Sequence, residues 1–257
     1  MELWVVPMKN PICSLTGVLM SVIGLLPHGR RVPPLFSLCQ ASLAVLGVGT
    51  VLFHSLTPDQ AAEISLSYRM CDWFSMAMVG GCLVSLFLSH MVPSEALVWV
   101  LTVVVLWMGA VIVENDALTY QRWVTTMTGS GGRNDFDTIM SVVLLAPMAF
   151  ILLWAVLTRV AWRQAVWMWV WLGLTLILWL SNSYGCKDMP ALFILHALYH
   201  VAAAMLIMQG ACIGVGLDEA RWEVQAGFWP MIREKGVEGG GGVVAPAALM
   251  PRITKMA

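Results

Sequence analysis

His196 and His200 stand four residues apart, so on a helix they lie one turn apart on the same face, like two ligands of a helical metal site. His54 is a third imidazole, and Thr50 precedes it by the same interval of four, which puts a hydroxyl on its face. Asp72 supplies a carboxylate. Three neutral imidazoles with a fourth position left for water make a catalytic zinc arrangement. The metal would lower the pKa of that water to about 7 and polarise a carbonyl oxygen. In that scheme Asp72 binds through the water, positions it or acts as general base. Thr50 donates a hydrogen bond to the water or to a developing oxyanion. Each residue also has a plainer explanation. A lone intramembrane histidine commonly satisfies an interhelical hydrogen bond. An aspartate at a helix start is a first-turn charge, and a helical threonine bonds back to its own carbonyls. The metal reading therefore depends on all of these residues meeting in space.

What brings them together is a set of membrane spans. The 257 residues are 59% hydrophobic and only 11% charged, far from the roughly 25% charged content of ordinary globular proteins. The mean hydropathy is +0.80. The 14 basic and 15 acidic residues nearly cancel, so nothing points to nucleic acid as a partner. Stretches of about 20 apolar residues are what a helix needs to cross hydrocarbon. Seven are predicted, over residues 11–27, 35–54, 70–92, 95–113, 137–158, 164–181 and 191–214, within a membrane domain of residues 1–217. The breaks between them carry turn chemistry, as at Pro33-Pro34, Pro58, Pro93 and Gly185 with Pro190. The first span lacks a strongly basic flank and reads as an uncleaved signal-anchor. The expected architecture is an all-α integral membrane protein, a seven-transmembrane helix bundle.

Counting spans places the end of the second and the starts of the third and seventh on one side of the membrane. His54, Asp72, His196 and His200 then share one depth whichever side that is. His28 and His90 fall at loop edges on the other side. If the N-terminus is lumenal or extracellular, nine basic residues lie on the cytosolic side (Arg30, Arg31, Arg159, Arg163, Arg221, Arg233, Lys235, Arg252 and Lys255) and five opposite. That bias favours a cytosolic C-terminus. Residues 218–257, Gly/Pro/Ala-rich with a run from Gly239 to Gly242, read as a disordered cytosolic tail. Trp222, Phe228, Trp229 and Ile232 could rest in the interface as a short juxtamembrane segment. The six cysteines are scattered, mostly in spans, without metal-type spacing.

Three motifs carry a resemblance: Thr50-Val51-Leu52-Phe53-His54, then Leu66-Ser67-Tyr68 leading to Cys71-Asp72-Trp73-Phe74, then His196-Ala197-Leu198-Tyr199-His200. Together they resemble the superfamily of alkaline ceramidases, progestin/adiponectin-receptor proteins and GPI-anchor lipid-remodelling proteins. Its signature is Ser-x3-His in span two, Asp near span three and His-x3-His in span seven. The resemblance implies a seven-span fold across residues 11–214 and a zinc ion on His54, His196 and His200. It implies that Asp72 holds the zinc water and that Thr50 takes the serine's place. It also implies hydrolysis of a lipid amide or ester. Alkaline ceramidases place the aspartate soon after the histidine and carry an acidic calcium-binding N-terminus, which Met1 to Pro11 lacks. The longer connection to Cys71-Asp72-Trp73-Phe74 is closer to the transmembrane-protein-eight group, which includes a GPI-selective phospholipase A2.

The expected function is a zinc-dependent intramembrane lipid hydrolase acting on a ceramide, a phospholipid or a GPI-anchor lipid. Its location would be the secretory pathway or the plasma membrane. The alternative is a seven-span receptor or scaffold with a structural zinc and no turnover. A rhodopsin-like sensor is disfavoured because the seventh span has no lysine for a Schiff base. A transporter would show broken helices or inverted repeats, and neither is legible.

Overall fold

The computed structural model describes residues 11–29, 31–55, 62–92, 94–126, 148–157, 162–185, 193–219 and 221–235. These residues form helices α1 (Pro11–Leu25), α2 (Pro34–Ser55), α3 (Ala62–Met91), α4 (Glu95–Thr126), α5 (Met148–Leu157), α6 (Trp162–Gly185) and α7 (Phe193–Gly216). The starts follow local chemistry. Pro11 and Pro34 open α1 and α2 at the position where a missing N–H costs nothing. Ser94 caps α4, its hydroxyl accepting from the Leu97 amide at 3.4 Å, and Glu95 sits in the first turn.

Among the described residues, four helices are long and apolar enough to cross a membrane: Pro34–Leu52, Cys71–Met91, Trp162–Ser181 and Ile194–Gly216. Shorter apolar stretches occupy Pro11–Leu25, Glu95–Val111 and Met148–Leu157. Leu15, Val103, Trp107, Phe150, Leu157 and Ile177 leave large apolar surfaces uncovered by protein, as lipid contact requires and water would not tolerate. Two helices run past their apolar spans. α3 begins at Ala62 while its apolar span is Cys71–Met91, against the 70–92 expected. α4 runs to Thr126 while its apolar stretch is Glu95–Val111, against 95–113. Of the span expected at 137–158, only 148–157 lies within the described residues.

α7 is the hub. It packs against α1, α2, α3 and α6, and every residue from Ala202 to Gly216 is buried. Its partners contribute Phe36 and Leu43 of α2, Leu83 of α3, Ile151 of α5 and Met168 of α6 to one apolar core.

After α7 the chain makes an antiparallel hairpin, β1 (Trp222–Gln225) with β2 (Met231–Glu234), pairing Trp222 with Glu234 and Val224 with Ile232. This corrects the expectation of a disordered tail from residue 218. A two-stranded hairpin alone is marginal in water, but this one is docked. Trp222 and Ile232 are buried, and the Ile232 amide donates to the His28 carbonyl. The Gln209 amide of α7 donates to the carbonyls of Gly227 (3.3 Å) and Phe228 (3.0 Å), while the Gly227 amide donates to Gln164 of α6 at 3.2 Å. The Gly/Pro/Ala-rich composition that suggested disorder belongs to residues 236–257, outside the described residues.

Candidate metal centre

Small residues let the helices that carry the centre approach closely. A Cβ on Gly17 would lie 2.8 Å from the Gly47 carbonyl oxygen, so α1 and α2 can meet at this separation only with glycine there. Two residues further along α2, a Cβ on Gly49 would lie 3.0 Å from both the backbone nitrogen and the Cα of Asp72. Gly49 therefore brings the α3 backbone against α2 at the position of the candidate carboxylate.

Beside it, Thr50 donates its hydroxyl proton to Asp72 Oδ1 at 2.8 Å. That bond refines two sequence expectations. Asp72 lies well inside α3, which starts at Ala62, so it does not begin the helix and is not a first-turn or capping charge. Thr50 has one proton to donate, and here it goes to Asp72 rather than to a water or an oxyanion. Thr50 is thus a positioning residue for the carboxylate.

One turn along α2, about 6 Å of rise, His54 meets the two histidines of α7. Ring centroids are 5.3 Å apart for His54 and His196, 5.2 Å for His54 and His200, and 4.6 Å for His196 and His200. The three imidazoles expected to gather at one mouth of the bundle do so. Asp72 is held by Thr50, four residues before His54 on α2, and is not a member of the close donor group.

The group has a fourth member that the sequence reading passed over. Donor atoms of Cys13, His54, His196 and His200 all lie within 4.8 Å of one another. Cys13 is fully buried on α1. The cysteines show no metal-type spacing in the sequence because the donors that Cys13 meets lie on other helices. On the seven-span expectation, the start of the first span shares a side with the starts of the third and seventh, and that count held the missing signal.

α1 contributes a second feature. Thr16 donates its hydroxyl proton to the Cys13 carbonyl at 2.8 Å, and its oxygen lies 3.2 Å from His200 Nδ1. With that proton committed, the hydroxyl can only accept from His200. Nδ1 then carries the hydrogen, and Nε2 keeps the lone pair a metal would need. Metal-ligating histidines are oriented in this way through their other ring nitrogen.

The donor set can hold a metal ion. Around a tetrahedral zinc, with bonds of about 2.0–2.1 Å to nitrogen and 2.3 Å to sulfur, donor atoms sit roughly 3.3–3.6 Å apart. The four donors here lie within 4.8 Å of one another, close to that spacing. Imidazole and thiolate suit zinc and other borderline-soft ions, and not magnesium or calcium. His196 Nδ1 is buried with no hydrogen-bond partner, a cost that coordination of that ring nitrogen would remove. In comparisons with protein-family models, curated proteins and solved structures, the chain matches none of them.

Proposed function

We propose that this protein is a zinc-dependent lipid hydrolase of the membrane, a seven-span bundle with its N-terminus lumenal or extracellular and its C-terminus cytosolic. The observation that carries the reading is the Thr50–Asp72 hydrogen bond beside the three-histidine cluster. A carboxylate held in one orientation one turn along α2 from His54 is what a hydrolytic centre needs to take a proton from water. The motif resemblance to the ceramidase, adiponectin-receptor and GPI-remodelling superfamily supports the same reading.

Zinc bound by His54, His196 and His200 would supply Lewis acidity toward a lipid carbonyl and favour ionisation of a water at neutral pH. The chain's own residues do the rest. Thr50 holds Asp72 in one orientation, and the Asp72 carboxylate would accept a proton from the attacking water. The hydroxyl oxygen adds to the acyl carbon and the C–N or C–O bond breaks. Asp72 returns the proton to the leaving amine or alcohol. A fatty acid and an amine, or a fatty acid and a lysolipid, are released. The apolar outer faces of the helices suit the bundle to a bilayer, and an acyl substrate would arrive from the surrounding lipid.

One observation favours a second reading. Cys13 completes a four-donor set, and a four-coordinate protein site is the usual form of structural zinc. On that reading the protein is a receptor or scaffold whose metal ties α1, α2 and α7 together. Zinc analysis and lipidomics on wild type and His196→Ala separate the two. The hydrolase reading expects loss of zinc together with a changed pool of ceramides, lysophospholipids or GPI-anchored proteins. Loss of zinc with every lipid class unchanged supports the scaffold.

A further inference from the structure

We infer that Cys13 is the fourth protein ligand of the metal held by His54, His196 and His200, so that the resting centre is a closed sulfur-and-nitrogen site. The inference rests on the metal-binding reading of the histidine cluster and adds to it a residue from α1.

Position is the first argument. The Cys13 sulfur and the three imidazole donors form a single group within 4.8 Å. The bond from Thr16 to the Cys13 carbonyl, with the Thr16 contact to His200, ties this turn of α1 to the same histidine of α7. The depth of Cys13 relative to the centre is therefore fixed by the fold.

Surroundings are the second. A buried cysteine is usually a small apolar filler, and Cys39, Cys82 and Cys212 behave in that way, all three lying in the apolar core. Cys13 is as buried as they are but lies outside that core, against the imidazoles.

Charge is the third. A divalent ion with three neutral ligands would place two positive charges at a depth where bare charge is expensive. A Cys13 thiolate removes one of them, and the Asp72 carboxylate held by Thr50 offsets the other. Metal binding would displace the thiol proton to solvent, as is general for cysteine ligands.

The consequence bears on turnover. With sulfur in the fourth position, an attacking water needs either a fifth position or displacement of Cys13. Cys13 is thus the residue that separates a resting, closed centre from a hydrolytic one.

Cobalt substitution of the purified full-length protein tests this without reference to activity. The wild type should show a near-ultraviolet sulfur-to-cobalt charge-transfer band together with the visible bands of a four-coordinate ion. Cys13→Ser should lose the charge-transfer band and keep the visible ones, while Cys82→Ser should keep both. A wild-type cobalt protein without the band, or a band that survives in Cys13→Ser, overturns the inference and leaves the three-histidine site standing. Failure of the wild type to bind cobalt or zinc at all removes the metal reading and this inference together. Should Cys13→Ser not fold, zinc-edge X-ray absorption on the wild type decides the matter. One sulfur at about 2.3 Å with nitrogens at about 2.0–2.1 Å supports the assignment, and a shell of nitrogen and oxygen alone rejects it.

Discussion

The Thr16 hydroxyl accepts from His200 Nδ1 at 3.2 Å across the α1–α7 contact, because its own proton is engaged by the Cys13 carbonyl. A residue of the first helix therefore sets the tautomer of a histidine 184 positions later in the chain. Thr16→Val keeps the shape of the side chain but removes the acceptor. Losing such an outer partner typically weakens metal affinity by about 10–100-fold. A zinc competition titration should show a weakening of that order, with Thr16→Ser restored to near the wild-type value. Unchanged affinity in Thr16→Val would remove Thr16 from the centre.

Gly49 makes a second, purely steric prediction. A methyl group there meets the backbone of Asp72 at 3.0 Å, and backbone cannot rotate aside. Gly49→Ala should destabilise the α2–α3 contact by about 1–3 kcal/mol, the usual cost of overpacking. It should also loosen the Thr50–Asp72 bond. Thermal unfolding in detergent reads the first effect. An alanine variant as stable as the wild type would contradict the tight approach described here.

At the opposite end of the bundle, His28 gives a pH dependence. Its ring packs against Trp229 of the hairpin turn at 4.5 Å, and burial lowers its pKa below the ordinary 6.5, opposed in part by its bond to the Leu26 carbonyl. The unfolded chain then binds the proton more readily than the folded one as the pH drops. The stability His28 contributes is fully present above about pH 6.5 and is lost as the pH falls through the lower folded value. Hydrogen exchange across residues 222–234, corrected for its intrinsic pH dependence, should accelerate below that point. His28→Phe, which keeps an aromatic ring without a titrating group, should abolish the acceleration. Exchange that does not respond to pH in the wild type would count against it.

The legible and illegible parts of the site divide along a physical line. The i, i+4 histidines of α7 and the Thr50–His54 pair of α2 announce themselves because a helix converts local spacing into a shared face. Their convergence followed from span parity alone. Cys13 and Thr16 left no local trace, since their partners lie on α2 and α7 and single residues have no period to detect. The same parity count, extended to the start of α1, would have included them. The hairpin was hidden for another reason. Composition averaged over residues 218–257 reads as disorder, while the docking depends on Trp222, Ile232 and two glutamines placed in distant helices.

The most direct test of the hydrolase account is fatty-acid release by the purified, zinc-loaded protein from ceramide, phospholipid and GPI-lipid vesicles, compared with Asp72→Asn at equal zinc content. Asp72 lies outside the close donor group, so the variant should keep its metal while losing the proton acceptor. The account predicts release by the wild type and at least a 100-fold loss in Asp72→Asn, within the roughly 10²–10⁴-fold range expected of general acid–base catalysis. Equal release by both proteins, or no release by a wild type carrying its full complement of zinc, would contradict it.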